Sequence, residues 1–406
     1  MNAQSILTGV LPAGVLMFTF SVLQVEMLAA ADVPQGDIVA WVATSWFIGG
    51  VIALVLSLHY KMPIAGAWSI PGFILVATTM ANSGMPLAEA FGGFWMSGAL
   101  VLLLGVTGTM KLIVRLLPQP VMLAMVAGIL IGFPIDMMRA IPTSPVIVVA
   151  GILGYVVFDL LRGPFRRIPG IAGTIVFCLV AAGIQGQLDF GNFSLSLGSV
   201  SWHTPSFTLQ GFVSIAIPLT LLVVGAENMQ ATGILKAAGN EPPVNSMTIL
   251  SGLGGLAAAA SGTMNANIAG PTTAVVNSPD AGPAEGRYVA SSFSGLSYMT
   301  LGVLAGTVVS LIGALPPELA TVLLGMVLVK VVMDTIRQAW GDGTFAIGAF
   351  FAFIIALSDL SFLGISSPFW SLLGGAVAAL LFDFSDYRDL VRDVRSRPDT
   401  AETHVA

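Results

Sequence analysis

Ala67-Trp68-Ser69-Ile70-Pro71-Gly72 and Asn265-Ala266-Asn267-Ile268-Ala269-Gly270-Pro271-Thr272 each interrupt an apolar stretch of membrane-spanning length with polar residues followed by proline. Proline has no backbone N–H and is favoured in the first turn of a helix, so each interruption reads as irregular backbone leading into a half-helix at bilayer depth. Irregular backbone persists there only where protein or a cavity satisfies its polar groups, so a matched pair of such breaks marks a binding site. A single Ser-x-Pro-Gly is usually a structural kink, because Pro and Gly are common in membrane helices. Two breaks at corresponding positions point to a shared site.

The composition defines an integral membrane protein. Hydrophobic residues make up 56% of the 406 and charged residues 9%, where soluble domains carry about 25% charged residues. Met1 to Leu7 hold no Lys or Arg, so the first apolar run reads as a retained helix, not a cleaved signal. With Cys178 the only cysteine, no internal disulfide and no cysteine-based metal site is expected. His59, His203 and His404 are scattered, which supports neither a metal cluster nor a catalytic triad. The net charge of −6 comes from loops and tail, and no basic run suggests nucleic acid.

Fourteen hydrophobic segments are expected, in an all-α polytopic arrangement. Among them the third runs from Pro63 to Ala81, the eighth from Gln210 to Leu235 and the tenth from Thr263 to Asn277. With the N-terminus inside, the cytoplasmic turns and tail collect Lys61, Lys111, Arg115, Arg162, Arg166, Arg167, Lys236, Arg287, Lys330, Arg337, Arg388, Arg392, Arg395 and Arg397, leaving only Arg139 outside. Both termini are therefore expected in the cytoplasm of a cell whose inner membrane holds the chain. Seven spans per half force the second half to enter from the opposite side, giving a 7+7 inverted repeat whose third and tenth segments are broken. The expected units are residues 1–186 for the first repeat, 187–209 for an extracytoplasmic linker, 210–384 for the second repeat and 385–406 for a cytoplasmic tail. Alternation in Phe193-Ser194-Leu195-Ser196-Leu197 suggests a small strand in the linker.

The two half-helices should meet near the midplane, each N-terminus presenting roughly half a positive charge and several free N–H groups. An anion or a ring rich in acceptors suits such a place. Glu227 lies inside the eighth span, where an ionised carboxylate costs several kcal/mol unless paired or protonated; it is the candidate proton-coupling group, against the reading that it reaches cytoplasmic water. Glu26, near the outer end of the first span, reads as an interfacial or gating acid. Asn228, Asn265 and Asn267 offer donors and acceptors, with a structural role as the competing reading. Trp68 and Phe73 flank the first break and Phe18 and Phe20 lie near the middle of the first span; an aromatic side chain beside a polar break can stack on a flat ligand. The substrate-binding set is then Trp68, Ser69, Ile70, Gly72, Phe20, Asn228, Asn265, Asn267 and Gly270. The glycines of Gly252-Leu253-Gly254-Gly255 and Gly374-Gly375 read as close helix contacts.

At these residues the chain resembles the benzoate-proton symporter family. The resemblance spans nearly the whole membrane portion, carried by Tyr60-Lys61-Met62-Pro63-Ile64 leading into Ala67 to Gly72, by Glu227-Asn228 with Gly233-Ile234-Leu235-Lys236-Ala237-Ala238-Gly239, and by Gly262 to Thr272. That family is similar to the nucleobase-ascorbate and sulfate-permease transporters. The resemblance implies a core domain of spans one to four and eight to eleven moving past a gate domain of spans five to seven and twelve to fourteen in an elevator-type cycle, within a homodimer embedded in lipid. It further implies proton-coupled uptake of a small organic anion, most simply an aromatic carboxylate, with no cofactor beyond the ion gradient; sodium is the alternative coupling ion. The family pattern has Gln at Glu227, Pro-Gly at Gln230 and Ala231, and His at Met264. Glu227 instead resembles the acid with which nucleobase transporters hold a ring, so a nucleobase-proton symporter is the second reading. A non-transporting sensor or enzyme is the remote third, with few candidate catalytic groups.

Overall fold

The structure, a computed structural model, describes residues 3–109, 118–160, 170–191, 193–358, 360, 362 and 367–388. Lys111, Arg115, Arg162, Arg166, Arg167, Arg392, Arg395, Arg397 and His404 of the orientation and site readings lie outside the described residues. Helices dominate: α1 (Ala3–Ala30), α2 (Gln35–Tyr60), α3 (Ile70–Ser83), α4 (Leu87–Thr107), α5 (Gln119–Arg139), α6 (Pro145–Leu160), α7 (Gly170–Ile184), α8 (Leu209–Ala237), α9 (Val244–Ser261), α10 (Gly270–Asn277), α11 (Arg287–Val303), α12 (Ala305–Gly313), α13 (Pro317–Trp340), α14 (Ala346–Leu357) and α15 (Ser367–Phe382). Two short strands, β1 (Gly66–Ala67) and β2 (Asn267–Ile268), precede α3 and α10. Among the described residues α2, α4, α5, α8 and α13 are long and apolar enough to cross a bilayer, and α11 with α12 passes the same test as a pair bent by 69°. Prolines start several of these helices where the missing N–H costs nothing, at Pro71, Pro120, Pro271 and Pro317.

The helices pack in two groups. In the first, α2 lies along α11 and α4 along α9, with α1 against α11 and the start of α8 against α4. In the second, α6 pairs with α7 and α14 with α15, while α5 and α13 tie these pairs together. Interfaces of this kind rely on small residues, since lipid offers no hydrophobic drive between helices. The expected glycine contacts form: Gly252 abuts Leu102, Gly255 approaches Gly98, and Gly375 meets Ala352.

The strands β1 and β2 pair antiparallel, Gly66 opposite Ile268 and Ala67 opposite Asn267. The ladder continues with Ala269 N–H donating to the Ala65 carbonyl at 2.9 Å. Around it, side chains satisfy what the ladder leaves open. The Ile64 carbonyl accepts from Ser57 Oγ at 2.9 Å and Ser291 Oγ at 2.7 Å, the Pro63 carbonyl accepts from Asn277 Nδ2 at 2.9 Å, and Ala65 N–H donates to Thr273 Oγ1 at 3.2 Å. This is how non-helical backbone survives at such depth. The ladder also needs close approach to the neighbouring helices. A Cβ on Gly49 of α2 would stand 2.5 Å from Ala67 Cα, and one on Gly254 of α9 would stand 2.5 Å from the Ala266 carbonyl oxygen.

The segment between α7 and α8 forms no strand at 193–197. Its Ser194 and Ser196 N–H groups instead donate to Ser310 Oγ and Thr307 Oγ1 of α12, because hydroxyls there offer acceptors with no partner strand at hand. Further along, Gly198 N–H donates to Val303, Ser201 N–H to Ser261 and Ser206 N–H to Ala88, so the segment straps α11, α9 and α4 together. The Ser201 hydroxyl donates to Asp37 Oδ1, and His203 Nε2 lies 3.0 Å from the same oxygen with its ring on Phe91. Both side chains converge on one carboxylate oxygen, with Ser201 Oγ also 3.1 Å from His203 Nε2, which clamps the segment onto α2.

The glycine constraint is testable. Gly254→Ala is expected to lower stability by about 1–3 kcal/mol through overpacking against β2, while Gly233→Ala, where an added Cβ meets nothing within 4 Å, leaves the thermal midpoint in detergent unchanged.

Candidate functional site

The half-helices α3 and α10 begin on either side of the two-stranded ladder, and their tips are built differently. At α3 the tip carries its own cap: Ser69 Oγ accepts from Gly72 N–H at 3.1 Å, and Phe73 N–H donates to the Ser69 carbonyl at 2.8 Å. At α10 the equivalent residue is Ala269, which has no side-chain acceptor. The missing cap comes from another helix. Gly270 N–H donates to Glu227 Oε2 at 3.0 Å, across 43 residues of sequence. The Ser69 hydroxyl lies near the same carboxyl. A serine hydroxyl has one donor and two acceptor sites, so Ser69 has a donor to spare for Glu227 while it caps Gly72. Glu227 thus sits between the two tips while only 3% exposed.

Local distortion of α8 accompanies this placement. Its backbone is π-helical over Phe212–Ala216 and again over Leu222–Asn228, with Pro218 between. A π turn widens the helix and re-aims the side chains on it, and such turns concentrate at functional sites. Glu227 and Asn228 both lie on the second one. Gln230, a turn further on, packs its amide oxygen against Gly270, where a Cβ would stand 2.3 Å from it. Met264 is buried among the first group's core residues.

The asparagines face inward to the scaffold. Asn228 Oδ1 accepts from Ser251 Oγ at 3.1 Å, and Ser251 Oγ in turn accepts from Ile268 N–H of β2 at 3.3 Å. Asn267 Oδ1 accepts from Asn265 Nδ2 and its Nδ2 donates to the Ile268 carbonyl, both at 2.7 Å. These contacts hold the irregular backbone in place. Buried polar atoms without a partner near the ladder, among the described residues, include Trp68 Nε1, a donor, and Asn265 Oδ1 and Asn277 Oδ1, acceptors.

Aromatic rings surround the α3 tip. Trp68 meets Phe20, Trp46 and Phe73 edge-on, with centroids 6.3, 5.8 and 5.4 Å away, and Trp46 lies 5.0 Å from Tyr298. The Tyr298 hydroxyl lies near Thr272 in the first turn of α10. Trp68, Ser69, Ile70, Gly72, Phe20, Glu227 and Gly270 are therefore brought together. Asn228, Asn265 and Asn267 stand one layer behind. Sequence reasoning missed Ser251, Trp46, Tyr298 and Thr273, ordinary membrane-helix residues whose role comes only from what packs beside them. Glu26 is half-buried toward the C-terminal end of α1. No group of three or more His, Cys, Asp or Glu positioned for a metal occurs among the described residues.

Helices long and apolar enough to cross a bilayer, packed around two short helices that start side by side, make this a polytopic membrane-type protein of the transporter class. Solved structures that share this fold include the transmembrane domain of the cyanobacterial bicarbonate transporter BicA, with a TM-score of 0.64 at 17% identity over 94% of this chain and 98% of that one, and SLC26A9, with 0.60 at 12% identity over 93% of this chain and 64% of that one. The chain belongs to the family described as benzoate membrane transport protein, whose model matches residues 1–381. Among its relatives, the inner membrane protein YdcO of Escherichia coli is 28% identical over 89% of this chain and 90% of its own length. The benzoate membrane transport protein of Acinetobacter baylyi is 27% identical over 86% and 87%.

If Glu227 caps α10, its truncation leaves Gly270 N–H buried without a partner. Glu227→Ala is expected to lose about 1–3 kcal/mol of stability, read as a lower thermal midpoint in detergent. Glu227→Gln keeps a carbonyl oxygen for Gly270 and is expected to hold the midpoint near that of the unmodified protein.

Proposed function

We propose that the protein carries a small aromatic carboxylate, benzoate-like, into the cell by symport with protons. The observation that carries this reading is Glu227 seated on the α10 tip beside Ser69. A carboxylate already occupies the place that suits an incoming carboxylate. Two like charges cannot share one tip cheaply, so the substrate takes the Gly270 N–H and the Ser69 hydroxyl when Glu227 is protonated. Substrate and proton then enter together and leave together. Trp68 Nε1 supplies a further donor, and Phe20, Trp46 and Trp68 supply apolar walls for a ring. Glu227, Ser69, Trp68, Ile70, Gly72, Phe20 and Gly270 make up the proposed site, with Asn228, Asn265 and Asn267 positioning it. The name of the Acinetobacter relative and the wall of aromatic rings both favour an aromatic acid.

The proposed cycle is an elevator movement of the first helix group, the core, past the second, the gate. Support comes from the symmetry of contacts. The pairing of α2 with α11 is matched by that of α9 with α4, and α6 with α7 by α14 with α15, as an inverted 7+7 repeat of fourteen spans requires. The glycine approaches match too, Gly49 of α2 to β1 and Gly254 of α9 to β2. In this topology residues 1–186 and 210–384 are the repeats, 187–209 lies outside the cell's inner membrane, and both termini, including 385–406, face the cytoplasm. The working unit is proposed to be a homodimer, with no cofactor beyond the proton gradient.

In proteoliposomes, Glu227→Gln is expected to bind benzoate and catalyse counterflow yet fail to accumulate it under an imposed pH gradient. Full pH-driven accumulation in that variant overturns the assignment; sodium-driven accumulation in the unmodified protein replaces the coupling ion. Competition by benzoate against uracil and xanthine separates the carboxylate from the nucleobase reading.

A further inference from the structure

A cavity of about 160 Å³ lies between the two helix groups, with Ile74 and Thr78 of α3 on one wall and Ile129, Phe133 and Asp136 of α5 on the other. The two walls are continuous stripes. On α3, Ile70, Ile74 and Thr78 follow at intervals of four, so the stripe starts at the tip that bears the site and runs to the cavity. On α5, Ile129, Phe133 and Asp136 lead in the same way to Arg139, one turn beyond the lining residues. Arg139 Nη1 lies 3.2 Å from Asp136 Oδ1, and its side chain is 76% exposed.

In the proposed topology this is the extracytoplasmic mouth of the path to the site. The outer helix ends and loops carry Asp32, Asp37, Glu89, Asp136, Asp189 and Glu318, and Arg139 is the only lysine or arginine among them. Such a face repels an anion everywhere except at this one point. The Arg139–Asp136 pair is exposed and adds little to stability. It is correspondingly easy to exchange. A guanidinium accepts a carboxylate in a two-pronged, charge-assisted contact, so an incoming carboxylate can take the place of Asp136.

Resting on the transport reading above, we propose that Arg139 and Asp136 form an outer docking site for the carboxylate group of the substrate, at the mouth of the cleft between α3 and α5. From there the ring passes between the two stripes to Ile70 and the tips.

The test uses intact cells of a strain without its own benzoate uptake, expressing the full chain, with osmolarity held by sucrose as salt is varied. Arg139→Gln is expected to raise KM for benzoate about fivefold at low ionic strength, with the gap closing at high salt, and to leave the maximal rate unchanged; Arg139→Lys restores most of the loss. A structural role would lower the maximal rate at every salt concentration. A second arm keeps Arg139 and uses Ile135→Cys, one helical turn before it and 36% exposed, in a protein whose only other cysteine, Cys178, is buried. A membrane-impermeant maleimide is expected to label it on intact cells, and benzoate, but not neutral benzamide, to slow that labelling. An unchanged KM at all ionic strengths, or labelling indifferent to benzoate, overturns this site while leaving the transport reading intact. Unmodified protein that takes up no carboxylate overturns both.

Discussion

A peptide N–H at the centre of a bilayer has no water to donate to, and leaving it unmet costs about 1–3 kcal/mol. That constraint governs the middle of this protein. Two chain segments leave the helix there, and each must find partners within the protein for both its N–H and its C=O groups. The ladder between β1 and β2 meets part of the need, the hydroxyls of Ser57, Ser251, Thr273 and Ser291 meet another part, and Glu227 meets the last, at the α10 tip. Packing follows from this arrangement. Helices α2 and α9 carry glycine where the ladder presses against them, and without that closeness the two tips could not reach one carboxyl.

The two halves solve the same problem unequally, and the inequality is where function enters. The α3 tip closes on its own serine and can keep that cap through any change in the site. The α10 tip, starting at Ala269, borrows its cap from α8. A borrowed acceptor can be exchanged for another of like charge, whereas a cap three residues away in the same turn is held by the chain itself. On the proposed mechanism the exchange partner is the substrate's carboxylate. The asymmetry therefore assigns α10 the working tip and α3 the fixed one.

Much of this was legible in the sequence because it rests on residue types with few uses in lipid. Pro71 and Pro271 each sit just past a polar break, and Glu227 is an acid in the middle of an apolar run; such residues have little reason to be there apart from a site. Ser69, one position before a helix start, could be read as a cap directly. What could not be read was direction. Asn228, Asn265 and Asn267 have the same chemistry whether they face a ligand or the scaffold, and only the positions of Ser251 and the Ile268 carbonyl decide between these. Trp46 and Tyr298 escaped for a similar reason, since an aromatic residue in a membrane helix is ordinarily packing. The strand expected at 193–197 failed because alternation sets which faces a segment has, not what will pair with it; the hydroxyls of α12 took its N–H groups first.

The strap from 194 to 208 bears on how the first helix group moves. Its hydrogen bonds go to α4, α9, α11 and α12, all within that group, so the outer ends of these helices are fastened to one another. Contact with the second group near the site is of another kind. Gly225, two residues before Glu227, lies against the thioether of Met122 on α5, where an added Cβ would stand 2.5 Å from the sulfur. A methionine side chain adapts its shape at little cost, and a glycine offers no knob to lock into it. Polar bonds thus tie the core together, while the surface it shares with α5 beside Glu227 is smooth and apolar. On the proposed elevator mechanism, a body stiffened across these helix ends and resting on a compliant contact slides as a unit, carrying both tips and the carboxyl between them without breaking the bonds that define the site.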